Sequence, residues 1–126
     1  MLANFFTSVS LDPPLISMIF RPHLVDLANL GRAGRVGISV LTAGDSERAT
    51  LLRRPGTDRF EGIEVDALSG SAVVLPGAAA TFLVELHSEI GASDHIVALF
   101  TVVEHSRNLE ATPLLFHDGK FRVVDL

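Results

Sequence analysis

The sequence predicts an all-β to α+β fold, an antiparallel β-barrel with two small peripheral helices. Three observations support this prediction. The chain has 126 residues, enough for one hydrophobic core and one domain. Most of it divides into short apolar or alternating runs bounded by Gly, Ser, Asp or Asn, and only two segments carry helix signals. Hydrophobic residues make up 48% and charged residues 20%, as expected of a globular domain.

The predicted strands share period-2 alternation or a short, continuous apolar run. They are Leu15–Phe20, Val36–Leu41, Ile63–Leu68, Ala72–Leu75, Ala79–Ile90, His95–His105, Leu114–His117 and Lys120–Val124. The last two flank Asp118-Gly119, a two-residue turn that tolerates positive φ, and are therefore predicted to form a β-hairpin.

Two helices are predicted between these strands. The first runs from Pro22 to Leu30, with leucines on roughly one face. The second begins with Asp45 or Ser46 as its cap and runs to Arg54, where Pro55-Gly56 ends it.

Composition excludes several function classes. The net charge is −5 and the ten basic residues are scattered, so nucleic acid is not an expected partner. The chain has no Cys, which excludes disulfides, thiolate metal sites and cysteine nucleophiles. The mean hydropathy of +0.39 is high for a small monomer and suggests an oligomer interface.

No membrane or export segment is expected either. The most apolar stretch, Ala72–Leu86, is interrupted by Pro76-Gly77 and is shorter than the roughly 20 residues of a membrane helix. The N-terminus has no basic region followed by a long apolar run, so we expect a cytoplasmic protein.

Several catalytic motifs are absent. The glycine-rich segment Gly31–Gly37 has neither the spacing nor the strand-to-helix setting of a dinucleotide-binding turn. The five His residues lack metal-ligand spacing, and no metal site is predicted.

Two segments are unusually polar for their surroundings. In the first, hydroxyls at Thr7, Ser8 and Ser10 precede the rigid pair Pro13-Pro14. Such a segment can present small donors and backbone N–H groups to a planar ligand or a phosphate. The alternative is a plain turn of the Ser/Thr type that enters a strand.

The second polar segment is Gly91–His95, at a strand-to-strand connection. Here Asp94 is positioned to orient His95 and to favour a partly cationic imidazole. The alternative is an ordinary turn Asp followed by an exposed His.

Together these segments resemble the flavin reductase-like domain family. Five matches occur in order along the whole chain. They are Ala3–Leu15, Gly37–Leu41, Asp58–Gly62, Ser93–His95 (the family's Gly-Asp-His element) and the closing hairpin Pro113–Arg122.

The resemblance implies a split β-barrel, generally a homodimer, that binds FMN or FAD and uses NADH or NADPH to reduce it. It also implies, in some members, a separate monooxygenase that receives the reduced flavin. The implied flavin-binding residues are Asn4, Phe5, Thr7, Ser8, Val9, Ser10, Arg21 and His23. His95 is implied on the nicotinamide side, as the catalytic candidate.

The chain departs from the family pattern at several points. The family's N-terminal helix and first strand have no counterpart in residues 1–126, so we expect a shortened domain. Phe5 replaces a small polar residue, His23 stands in the phosphate loop, and Ser93 replaces Gly. These changes leave a second hypothesis open, a non-catalytic flavin-binding or structural split-barrel remnant.

Overall fold

The computed structural model describes residues 3, 6–21, 32, 34–54 and 60–123. Within these ranges the chain is mostly β-structure. The strands are β1 Phe6–Leu11, β2 Pro14–Phe20, β3 Val36–Val40, β4 Asp66–Ala67, β5 Val73–Val74, β6 Ala80–Ala92, β7 His95–Arg107, β8 Leu114–His117 and β9 Lys120–Val123. The α-helix α1 spans Ser46–Leu52, and a 3₁₀ turn spans Ser69–Ser71.

A five-stranded antiparallel sheet in the order β1-β2-β7-β6-β3 forms the centre of the fold. Its middle is the long hairpin of β6 and β7, which pair from Ala92 opposite His95 to Ala80 opposite Arg107. Two register shifts interrupt this ladder, between Leu83 and Val84 and between Leu86 and Ser88. Such bulges increase strand twist and bend a sheet.

The core lies on the inner, concave face of this bent sheet. Its buried residues come from β2, β6 and β7, and they are Ile16, Met18, Phe20, Val84, Ala98 and Phe100. The ring of Phe6 in β1 lies 5.4 Å from the ring of Phe82 in β6, measured between centroids. In a flat sheet these strands would lie about 14 Å apart, three spacings of about 4.8 Å. The sheet therefore curls until β1 meets β6.

A second layer packs on the opposite side of β3. The Cα of Gly37 approaches the neighbouring segment so closely that a Cβ there would lie 1.9 Å from the carbonyl oxygen of Val73. The backbone N–H of Leu75 donates a hydrogen bond of 2.9 Å to Oγ of Ser39. Helix α1 contributes the buried side chains of Ala49 and Leu52.

A buried carboxylate fixes the start of α1. The Asp45 side chain is only 9% exposed. Its Oδ2 accepts hydrogen bonds from the Thr42 backbone N–H at 2.7 Å and the Thr42 hydroxyl at 3.0 Å, and its Oδ1 accepts one from Arg48 Nε at 2.8 Å. Burial by itself raises the pKa of Asp45, but these hydrogen bonds and the Arg48 charge together hold it below its usual value.

The C-terminal hairpin of β8 and β9 is attached to this layer. The Leu114 N–H donates to the carbonyl oxygen of Leu41 at 2.9 Å. The Arg53 guanidinium lies over the rings of Phe116 and Phe121, at 5.2 and 5.0 Å from their centroids. These cation–π contacts hold the hairpin against the end of α1.

Most predicted strands are confirmed, with shifted ends. The hairpin Leu114–His117 and Lys120–Val123 matches the prediction, and Asp118 and Gly119 both have positive φ. The predicted strand Ile63–Leu68 is wrong in extent, since only Asp66–Ala67 pairs, because its partner β5 is itself two residues long.

The helix predictions have different outcomes. The second helix is confirmed as α1, with Asp45 at the N-cap position. The Asp45 carboxylate accepts hydrogen bonds from Thr42, which precedes it, and from the Arg48 side chain. It makes no capping hydrogen bond to the N–H groups of the helix. The first predicted helix, Pro22–Leu30, lies outside the described residues. No helix within the described ranges combines the length and apolarity needed to cross a membrane.

The contact at Gly37 leads to a prediction. Gly37→Ala is expected to destabilise the protein by at least about 2 kcal/mol, because the new methyl group meets backbone that must move. The matched control is Gly91→Ala, where a Cβ would meet nothing within 4 Å. It should leave stability within about 1 kcal/mol. Urea unfolding followed by circular dichroism measures both, and equal stability of the two variants would contradict the described packing.

Candidate functional site

The first polar segment forms an exposed edge strand. Thr7, Ser8 and Val9 in β1 are exposed and Ser10 is half-buried. Within the described part of the chain β1 pairs only with β2. Residues 6–11 therefore form a strand, and the turn follows them at Asp12-Pro13. Asn4 and Phe5 lie outside the described residues.

A bulge divides the hydroxyls of β1 between the two faces of the sheet. Thr7 pairs with Ser17, Ser8 pairs with the buried Ile16, and Ser10 pairs with Leu15, with a register shift between Ser8 and Ser10. Because side chains alternate along a strand, Ser8 lies on the inner face, whereas Thr7 and Ser10 lie on the outer face.

The second polar segment forms the tight turn between β6 and β7. His95 is the first residue of β7 and lies opposite Ala92. Its Nδ1 lies 2.8 Å from Oδ1 of Asp94. The hydrogen bond from His95, followed by the charge of His95 and, more weakly, that of Arg21, lowers the pKa of Asp94. Asp94 therefore interacts with His95 at the start of β7 and, more weakly, with Arg21 just after the end of β2.

Arg21 follows the end of β2, at the same edge of the sheet as His95. Phe20 pairs with Ile96, so the next residue of β2 lies beside the start of β7. Arg21 is exposed. The structure thus brings together two of the predicted site residues that are 74 positions apart in the sequence. His23 lies outside the described residues.

An apolar surface joins these two groups. We use the term outer face for the convex side of β1, β2 and β7, which carries Thr7, Ser17, Ile19, Arg21, His95, Val97 and Leu99. Ser17 pairs with Leu99 and Ile19 pairs with Val97, between the hydroxyl of Thr7 and the Arg21–His95 pair. Thr7 and Arg21 are separated by about four residue steps, or about 13 Å along the sheet.

The residue types on the outer face match the chemical groups of a flavin. The apolar middle suits planar rings, the hydroxyls of β1 can bond polar ring atoms, and Arg21 can meet an anionic phosphate. The outer face is open on a single chain.

A cavity of about 110 Å³ does occur between β3, α1 and Phe60, but it is smaller than the 300 Å³ or more of typical ligand pockets and lies away from the outer face.

The apolar part of the outer face escaped the sequence analysis. Ile19 is 38% exposed, and Val97 and Leu99 are half-buried. The sequence nevertheless contained a signal for this apolar surface, because Leu15–Phe20 is apolar or small at every position. A strand that is apolar on both faces commonly packs against other structure on both faces. No three His, Asp or Glu side chains in the described ranges lie close enough together to hold a metal ion.

Comparison with known proteins gives consistent matches. The family model described as "Flavin reductase like domain" matches residues 1–125. An NADH-dependent FAD reductase of Streptomyces globisporus is 32% identical over 97% of this chain and 70% of its own length. An NADH:FMN oxidoreductase of Rhodococcus qingshengii is 31% identical over 94% of this chain and 65% of its own length.

Solved structures agree with these relatives. The NADH:FAD oxidoreductase of S. globisporus C-1027, in complex with NAD and FAD fragments, superposes with a TM-score of 0.88 at 30% identity, over 95% of this chain and 73% of that one. The styrene monooxygenase flavin reductase of Pseudomonas putida S12 superposes with a TM-score of 0.83 at 25% identity, over 98% of this chain and 79% of that one.

The turn that carries His95 leads to a second prediction. Ser93 adopts a φ of 58°, a left-handed conformation that costs a residue with a Cβ about 1 kcal/mol or more. Ser93→Gly is expected to raise the free energy of unfolding by about 0.5–1 kcal/mol, after the entropy that glycine loses on folding. Ser93→Ala keeps the Cβ and should give no such gain. If thermal unfolding showed the same gain for both variants, the backbone explanation would be wrong.

Proposed function

Because this chain belongs to the flavin reductase-like domain family, we propose that it is an NAD(P)H-dependent flavin reductase. The observation that carries the proposal is the outer face, where hydroxyls of β1, an apolar middle and the Arg21–His95 pair lie in line. The relatives that use FAD or FMN with NADH support flavin and NADH as the two substrates. The curl of the sheet supports the finer assignment of a split β-barrel.

Bound flavin supplies the redox chemistry, by accepting a hydride from the nicotinamide. The protein's own part is to hold two ring systems in contact and to exclude water. In our proposal Asn4, Phe5 and the β1 residues Thr7, Val9 and Ser10 line the flavin. Ser8 lies on the inner face and would contribute only its backbone.

The charged residues have separate roles in this proposal. Arg21 and His23 bind the flavin phosphate through their positive charge. His95 lies on the nicotinamide side, where a cationic imidazole stabilises the negative charge that develops during reduction. A cytoplasmic location follows from the use of a nicotinamide reductant, and a monooxygenase partner is supported by the P. putida relative.

Purified protein is expected to oxidise NADH, followed as the loss of absorbance at 340 nm, only when FMN or FAD is added. His95→Ala should raise the KM for the nicotinamide at least about tenfold, the equivalent of one charge-assisted hydrogen bond. The matched control is His117→Ala, in the exposed β8 strand away from the site. Flavin binding without any NADH oxidation would favour the non-catalytic hypothesis instead.

We further propose that the protein is a homodimer in which the outer face is covered by the second copy. A single chain leaves this face open, with Ile19 38% exposed. A planar ligand on an open sheet would remain in contact with water, which weakens electrostatic interactions. A second copy completes the enclosure.

Light scattering after gel filtration should therefore give the mass of two chains. Ile19→Asp places a charge in the proposed interface and should shift the protein toward monomer. Leu109→Asp, at a residue 77% exposed in the turn after β7, should leave the dimer intact. A wild-type protein that is monomeric at tens of micromolar would reject the dimer while leaving the reductase proposal to its own assay.

A further inference from the structure

The C-terminal hairpin of β8 and β9 has two chemically different faces. Because side chains alternate along a strand, residues that pair across the hairpin share a face. One face carries Phe116 and Phe121, whose rings lie 5.4 Å apart and contact α1 through Arg53. The opposite face is exposed and carries the pairs Leu115–Arg122 and His117–Lys120. We call this opposite face the basic face.

The cations of the basic face are not neutralised by the hairpin itself. Lys120 and Arg122 are both exposed. Within the described ranges neither residue forms an ion pair, even with Asp118 in the neighbouring turn. Arg122 Nε donates instead to the carbonyl oxygen of His117, at 3.3 Å. On a chain of net charge −5, this face is a local positive patch, and charge complementarity favours an acidic partner there.

The hairpin also ends in an open strand edge. In the part of the chain that the structure describes, β9 pairs only with β8, whereas the start of β8 bonds to Leu41. Alternate residues of an antiparallel strand turn their N–H and C=O groups away from the partner strand. These groups of β9 are therefore available to an added strand, which is a recurring way to bind an extended peptide.

An added strand would continue both faces of the hairpin. On the basic face its side chains lie beside Lys120 and Arg122, where carboxylates form cross-strand ion pairs. On the other face its side chains lie beside Phe121 and Val123, and Val123 is 58% exposed, so apolar groups fit there. The hairpin is therefore complementary to a segment in which acidic and apolar residues alternate.

We propose that β9 is a docking edge for a partner protein, which adds an extended segment of alternating acidic and apolar residues to the hairpin. The edge strand β1 carries no charged residue and so does not select an acidic segment. A second copy of this chain fits β9 poorly, because antiparallel pairing with Phe121 opposite Phe121 sets Lys120 against Arg122. The proposal depends neither on the reductase function nor on the dimer proposed for the outer face.

The probe is a synthetic peptide of about eight residues, a usual strand length, in which Glu and Val alternate and both ends are blocked. Added to the full chain, it should bind with a dissociation constant below about 1 mM. In ¹H–¹⁵N NMR spectra the largest amide shift changes are expected in β9, with none in β1. Binding should weaken as salt is added, because exposed charges are screened.

Charge reversal tests the basic face. Lys120→Glu and Arg122→Glu should each weaken peptide binding at least about fivefold, since attraction becomes like-charge repulsion. The matched control is Arg21→Glu, an equal reversal at an exposed residue near the β6–β7 turn, at the far end of the central sheet. It should change the affinity for this peptide less than about twofold, because the charge is screened over that distance.

Methylated peptides separate strand pairing from simple charge attraction, and they test the wild-type protein alone. One peptide carries methyl groups on the amide nitrogens of its Glu residues, and a second one on those of its Val residues. Only one of these two sets of N–H groups can face β9 in an added strand. One peptide should therefore lose binding at least about tenfold, and the other should keep it. A shift by one residue cannot rescue binding, because it would place Val beside the cations.

Several results would overturn the proposal. They are no binding at 1 mM peptide, the same loss in Arg21→Glu as in Lys120→Glu, and equal affinity for the two methylated peptides. Equal affinity for a peptide of the same composition with its Glu residues grouped at one end would also overturn it, since alternation would then have no role. A dimer that dissociates in Lys120→Glu would show that a second copy occupies β9 instead.

Discussion

The pairing of β6 with β7 is the constraint on which the rest of the structure depends. Both strands have 13 residues, and each also pairs with an outer strand, β2 on one side and β3 on the other. A shift of one residue in this pairing would move every side chain of a strand to the opposite face. The buried row that includes Val84, Ala98 and Phe100 would then point to solvent. The core therefore fixes the register, and the register places His95 at the first position after the turn.

The pairing of β2 with β7 brings together candidate site residues from distant parts of the sequence. Arg21 and His95 become neighbours only because β2 joins β7 in a register that sets Phe20 opposite Ile96. No local pattern around Arg21 contains this information. The bulge in β1 acts similarly at short range, because it places Ser10 on the outer face with Thr7 and leaves Ser8 on the inner one. The hydroxyl residues are visible in the sequence, but the strand pairing determines which face of the sheet each hydroxyl occupies.

Sequence reasoning succeeded where local chemistry determines structure. The C-terminal hairpin was predictable because Asp118-Gly119 suits a turn with positive φ, whatever the rest of the chain does. Ile63–Leu68 was not, because alternation shows that a segment can form a strand and not whether a partner lies beside it. The family was recognisable from five short matches in order, whereas the outer-face role of Ile19 required the register. Short residue matches identify the family, whereas long-range strand pairing determines which candidate site residues become neighbours.

Two carboxylates with lowered pKa values differ in burial, and burial determines how much each contributes to folding. Asp45 is buried, so its hydrogen bonds with Thr42 and Arg48 stabilise the folded state, and removing either partner would leave an uncompensated polar group. Because the pKa of Asp45 is lower in the folded state, this stabilisation exists above its ordinary pKa of 3.8 and is lost as the pH falls through the folded value. Asp94 has a lowered pKa for a similar reason, but it is exposed, and water screens its interactions. Folding therefore depends on Asp45, whereas Asp94 contributes little to the stability of the folded state.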